Sequence, residues 1–115
     1  MIVVDDDFSV RRALRMQLVL AGFKVRVFHS AEALLAGSFP TTNCCLLLDI
    51  YMPGMGGIEL WESLTNAGRH LPTILISGRN DEETRKLART VKGTRCLFKP
   101  FDQSTLLRAI RKAMQ

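Results

Sequence analysis

The sequence predicts an α/β fold: a single (βα)5 domain over residues 1–115, its five strands forming one doubly wound parallel sheet. Three observations predict it. Short apolar runs recur five times, each too short for a helix and each followed by a stretch with apolar residues three or four apart. One of them, Cys44 to Leu48, is apolar throughout, as in a central strand covered on both faces. A chain of 115 residues, 47% of them hydrophobic, makes one core and one domain.

The first strand is Met1 to Val4, ending in Asp5-Asp6-Asp7. From Phe8 to Ala21 the spacing becomes helical, with Val10, Leu14, Leu18 and Ala21 on one stripe and Arg11, Arg12 and Arg15 mostly opposite; Gly22 stops the helix. Phe23 to Phe28, alternating with Lys24 and Arg26, reads as the second strand. The next helix has Ser30 as its cap and Gly37 at its end. After Cys44 to Leu48, a loop rich in proline and glycine, Met52 to Gly57, leads into a helix from Ile58 to Asn66. In that loop Pro53 stiffens the chain and Gly57 permits a close entry into the helix.

Thr73 to Ile76 is the fourth strand, ending at Ser77-Gly78. A helix is expected from about Asn80, with Glu83 completing a capping box, to about Gly93. Arg95 to Phe98 is the fifth strand, and the last helix, Asp102 to Met114, carries Leu106, Ile110 and Met114 in one stripe. Alternation of this kind implies parallel strands with helices on both faces, in the order 2-1-3-4-5.

Composition excludes several classes. No run approaches the roughly 18 apolar residues of a membrane span. Met1 to Val4 leads straight into aspartates, with no cationic and apolar leader. Three cysteines, Cys44 and Cys45 adjacent, make no disulfide framework, and with His29 and His70 they show no metal-binding spacing, so a cytoplasmic protein is expected. The net charge of +5 is uneven: residues 1–84 carry 7 Lys/Arg against 10 Asp/Glu, and residues 85–115 carry 9 against 1. A surface for electrostatic partners is therefore expected in the C-terminal part.

The polar residues of interest all stand at carboxyl ends of strands: Asp5, Asp6 and Asp7, then Asp49, Ser77 and Lys99. In an open parallel sheet, that is where ligands bind. Clustered carboxylates repel unless positive charge lies between them, so the set calls for a divalent cation and the Lys99 ammonium. All-oxygen ligands with few protein groups suit Mg²⁺, with Mn²⁺ as a substitute, better than Zn²⁺.

Over its whole length the sequence resembles the receiver domains of bacterial two-component response regulators, above all those with a helix-turn-helix DNA-binding output domain. The resemblance rests on Val3-Val4-Asp5-Asp6-Asp7, the segment from Leu47 to Gly57, Ile76-Ser77-Gly78 and Phe98-Lys99-Pro100-Phe101. The spacings Asp6 to Asp49 (43), Asp49 to Ser77 (28) and Ser77 to Lys99 (22) add to it. It implies a flavodoxin-like fold and a phosphorelay switch. Asp49 would accept a phosphoryl group from a sensor histidine kinase or phosphotransfer protein. Asp6, Asp49 and the Tyr51 backbone carbonyl would hold Mg²⁺ with help from Asp5. Ser77 and Lys99 would bind the phosphoryl group, Asp7 would be a bystander or helix cap, and Lys99–Pro100 would be cis.

Other expectations concern output. Receivers usually carry an aromatic residue three positions before the lysine; here Cys96 stands there, read as a small buried residue in preference to a redox sensor. Tyr51 and Arg79 flank the acceptor and are expected to shield it, slowing self-hydrolysis. Arg85, Arg89 and Lys92 on the fourth helix, and Arg108, Arg111 and Lys112 on the fifth, form the candidate output face. That face would serve an acidic partner, a linked domain or a homodimer formed on phosphorylation. DNA would be reached only through an output domain of a longer protein, to control transcription, and no membrane contact is expected. Two other classes stay open: a receiver-like binding module that is never phosphorylated, and a haloacid-dehalogenase-type hydrolase, for which Tyr51 stands where a second acid is needed.

Overall fold

The computed structural model describes residues 1–40, 42–91 and 94–115. Its elements run β1 (Ile2–Val4), α1 (Phe8–Leu20), β2 (Arg26–Phe28), α2 (Ala31–Ala36), β3 (Leu46–Asp49), α3 (Gly57–Asn66), β4 (Thr73–Ser77), α4 (Glu82–Arg89), β5 (Arg95–Phe98) and α5 (Gln103–Ala113). All paired strands are parallel, in the order β2-β1-β3-β4-β5. This is the predicted doubly wound sheet.

Alternation along the strands splits the core into two layers. Ile2, Val4, Leu46, Leu48 and Leu75 point to one side, against Ala31 and Leu34 of α2 and Leu60 and Leu64 of α3. Val3, Leu47, Ile74 and Ile76 point to the other, against Leu14 and Leu18 of α1 and Leu106 and Ile110 of α5. β1, β3 and β4 are buried on both faces, which is why their sequences read as continuous apolar runs.

The differences from expectation are local. β2 begins at Arg26, not Phe23, because Gly22, at φ 96°, turns the chain out of α1 and the Phe23 amide still bonds to Leu18 O. β3 begins at Leu46, after the buried Cys44 and Cys45. The cap of α4 is Asp81, whose Oδ1 accepts from the Thr84 amide at 2.8 Å; Asn80 instead accepts from the Arg85 guanidinium. That helix closes at Arg89, and Gly93 lies outside the described residues. On α5, Leu106 and Ile110 are buried as predicted, but Met114 lies past the helix end and is exposed.

One glycine joins fold to site. At Gly57, the first residue of α3, an added Cβ would lie 2.2 Å from Asp49 O and 3.0 Å from its carbonyl carbon. Both are backbone atoms, so relief needs movement of the β3 end itself. Gly57→Ala is expected to cost about 3 kcal/mol, at the upper end of ordinary overpacking. Urea denaturation checks this, and an unchanged midpoint would show that the junction yields freely.

Candidate functional site

β1, β3, β4 and the chain after β5 deliver the polar residues to one edge of the sheet. Asp5 is fully buried; its Oδ1 accepts from the Asp7 amide at 2.9 Å and its Oδ2 from Lys99 Nζ at 2.9 Å. The Arg11 guanidinium donates to Asp5 O at 2.7 Å, fixing the backbone there. Asp7 caps α1 through the Ser9 and Val10 amides, one of the two roles foreseen for it. Asp6 is exposed, and a hydrogen bond between its carboxyl and that of Asp49 helps to raise the pKa of the latter.

Asp49 is 5% exposed, at the end of β3. Carboxylate oxygens of Asp5, Asp6 and Asp49 lie within 4.8 Å of one another. Lys99 is nearer Asp5 than Asp49, at 2.9 and 3.8 Å, and its bond to Pro100 is cis. Burial, and then the charge of Asp5, push the Asp49 carboxyl up to about 7 against the pull of Lys99. Three carboxylates around one ammonium leave the cluster short of positive charge. Close-set oxygens with that deficit fit a hard divalent cation.

Ser77, at the end of β4, is fully buried; its hydroxyl donates to Arg79 O and accepts from the Arg79 amide, both at 3.0 Å. The Arg79 guanidinium lies 4.3 Å from the centroid of the Tyr51 ring and bonds to Asp81 at 2.7 Å. The Tyr51 hydroxyl makes a 2.7 Å hydrogen bond with Thr84 Oγ1. Tyr51 and Arg79, two residues beyond Asp49 and Ser77, are thus brought together. Sequence reasoning missed Thr84, because a threonine in the charged segment Glu82–Arg89 gives no sign of facing inward.

Cys96 is partly buried among core side chains, and burial pushes its thiol up to about 11, far from the thiolate a redox sensor needs. Of the candidate output residues, Arg85 and Arg89 both pair with Glu82, at 3.2 and 4.0 Å, so part of the charge of α4 is neutralised within the helix. Arg108, Arg111 and Lys112 are exposed on α5, and Lys92 lies outside the described residues. A second cationic feature escaped the charge count: a cleft of about 480 Å³ lined by Phe8, Arg11, Arg12, Arg15, Val27 and His29, in the N-terminal half.

Residues 1–111 match the response regulator receiver domain family. The chain is 34% identical to the transcriptional regulatory protein FixJ of Rhizobium meliloti, over 98% of its own length and 55% of the relative's. It is 35% identical to the response regulator protein TmoT of Ectopseudomonas mendocina, over 98% and 51%. It therefore spans about half the length of these curated relatives. Among solved structures, FixJ-N superposes with a TM-score of 0.88 at 34% identity, covering 98% of this chain and 90% of that one. The response regulator StyR superposes with a TM-score of 0.84 at 40% identity, covering 99% and 58%.

Proposed function

Because this chain belongs to the response regulator receiver domain family, we propose that it works as a phosphorylation-dependent switch with Asp49 as the phosphoacceptor. The observation that carries this reading is the convergence of Asp49 with Asp5, Asp6 and Lys99 from three separate strand ends. A receiver is a signalling domain, not an enzyme acting on a separate substrate. Membership also decides against the haloacid-dehalogenase reading.

In the proposed reaction an Asp49 carboxylate oxygen attacks the phosphorus of a phosphohistidine; the P–N bond breaks and the imidazole leaves with its electron pair. Phosphoryl transfer needs alignment and charge neutralisation more than acid or base catalysis. Lys99 supplies one positive charge and Ser77 a hydroxyl hydrogen for a phosphoryl oxygen. Mg²⁺, held by Asp6, Asp49 and the Tyr51 carbonyl, would neutralise the remaining charge. Both oxygens of Asp5 already accept hydrogen bonds, which supports an indirect part for it, through water. Intact mass after incubation with acetyl phosphate and Mg²⁺ tests the reading: one phosphoryl group is expected, and no gain favours the inert binding module.

The proposal extends outward in the same terms. A sensor histidine kinase or phosphotransfer protein is the donor. A linked output domain in a longer protein, or a phosphorylation-dependent homodimer, receives the signal to control transcription. Among the described residues no helix is long and apolar enough to cross a membrane.

Tyr51 and Arg79, stacked at 4.3 Å and standing two residues beyond Asp49 and Ser77, support the shielding role expected of them. Tyr51→Ala opens that side to water, and loss of the phosphoryl group should accelerate about tenfold, equivalent to about 1.4 kcal/mol of barrier. Following the phosphorylated mass after desalting checks it; an unchanged decay removes Tyr51 from that role.

A further inference from the structure

Receivers usually carry an aromatic residue three positions before the lysine, and here Cys96 leaves that position empty of a ring. The face it shares with α4 is an open groove of about 380 Å³, lined in part by Arg85, Ala88, Arg89, Val91, Cys96 and Phe98. We infer that Tyr51 takes over the coupling: it is a positioning residue that ties the phosphoryl site to α4 through its hydroxyl bond to Thr84, with Arg79 as the link to Ser77. The inference rests on the phosphoacceptor reading of Asp49 and deepens it.

Three observations carry it. The Ser77 hydroxyl has a single hydrogen, now given to Arg79 O at 3.0 Å. A phosphoryl oxygen on Asp49 competes for that hydrogen, and winning it frees the Arg79 carbonyl. Secondly, Arg79 reaches both partners of the proposed relay: its guanidinium covers the Tyr51 ring, and it bonds to Asp81 through Nε at 3.0 Å and the terminal nitrogen at 2.7 Å. Asp81 is the cap of α4. Displacement of residues 77–79 therefore pulls on the ring and on the helix start together.

Thirdly, Thr84 is the one fully buried residue of α4, and Tyr51 meets its hydroxyl at 2.7 Å. The rest of α4 is charged or half-exposed, so the helix has little apolar burial to hold it. Its best-anchored point is a hydrogen bond to the residue two beyond the acceptor. The Thr84 hydroxyl also bonds to the Asp81 carboxylate that caps α4, so the half-buried Tyr51 hydroxyl meets the helix at its start and the three groups move together.

The test is the amide NMR response of the whole chain to beryllofluoride and Mg²⁺, a non-covalent phosphoryl mimic, beside acetyl phosphate labelling read by intact mass. In the wild type, residues 82–89 are expected to shift. Tyr51→Phe, which keeps the ring, and Thr84→Val, which keeps the shape, should each lower that shift to roughly half or less, with no further loss when combined, as a shared interaction requires. Labelling of Asp49 should persist in Thr84→Val, a residue outside the phosphoryl and metal sites. A full α4 response in Tyr51→Phe overturns the inference, as do additive losses in the double variant. So does loss of the response in Phe98→Leu with Tyr51→Phe unaffected, which would assign the coupling to the remaining aromatic of β5. Labelling without any α4 shift in the wild type overturns the inference alone; neither labelling nor shift overturns the phosphoacceptor reading and the inference with it.

Discussion

Asp49→Asn is expected to abolish the mass gain from acetyl phosphate completely, at any incubation time that labels the wild type fully. The amide is nearly the same size, so the fold stays intact, but it lacks the anionic oxygen that attacks phosphorus. No neighbour takes over. Asp5 is fully buried with both oxygens bound, and Asp6 is exposed, after β1 and not at the end of β3. Lys99→Ala acts differently: the nucleophile survives, but Asp49 loses the ammonium 3.8 Å away. Removing one group that stabilises developing charge typically costs about 10²–10³ in rate, so slow labelling to the same final mass is expected. A labelled Asp49→Asn protein would place the acceptor elsewhere, and wild-type rates in Lys99→Ala would deny the lysine its part.

The two variants bear on what was legible in the sequence. The sheet was legible because β1, β3 and β4 are buried on both faces, and burial forces apolar runs that end where polar side chains meet at the sheet edge. Asp5, Asp49, Ser77 and Lys99 could be read together for the same reason. β2 was misjudged at its start because Phe23 and Val25 are half-buried without being paired, so alternation there reports packing and not a ladder. The α4 cap was misplaced by one residue, since Asn80 and Asp81 are both good caps and only the loop geometry chooses.

Less could be read of how the side chains divide their partners. The resemblance puts Lys99 with Asp49 at the phosphoryl site, yet its shorter bond goes to the fully buried Asp5. Arg85 and Arg89 look like a free basic line until Glu82 turns back on them. Thr84 is the sharpest case. Nothing local marks it as buried; that depends on the Tyr51 ring arriving from a loop 33 residues earlier.

The metal-free protein is expected to lose stability as pH rises from about 5 to 8, the reverse of ordinary acid denaturation. The cause is Asp49, whose carboxyl sits near 7 in the fold against an ordinary value of 3.8. Between those values the folded state binds more protons than the unfolded one, so stability falls with rising pH and the full penalty is present above 7. A shift of about three units corresponds to some 4 kcal/mol at most, and a loss of about 2–4 kcal/mol is expected. Carboxyls that are instead held low, Asp81 through hydrogen bonds from Thr84 and Asp102 through those from Thr105, lose their contribution only at more acid pH and leave this window clear. A divalent cation should reverse the trend: at pH 8, Mg²⁺ at about 100 times its dissociation constant restores about 2.7 kcal/mol. At pH 5 the same concentration should do much less, because proton and cation compete for one carboxylate. Asp49→Asn should flatten the pH profile, exceed the wild type in stability at pH 8 without metal, and gain little from Mg²⁺. Urea denaturation at pH 5, 6, 7 and 8 with and without Mg²⁺ measures all three. A flat wild-type profile, or an undiminished Mg²⁺ effect in Asp49→Asn, would move the cation and the buried charge away from Asp49, and with them the electrostatic basis of the switch.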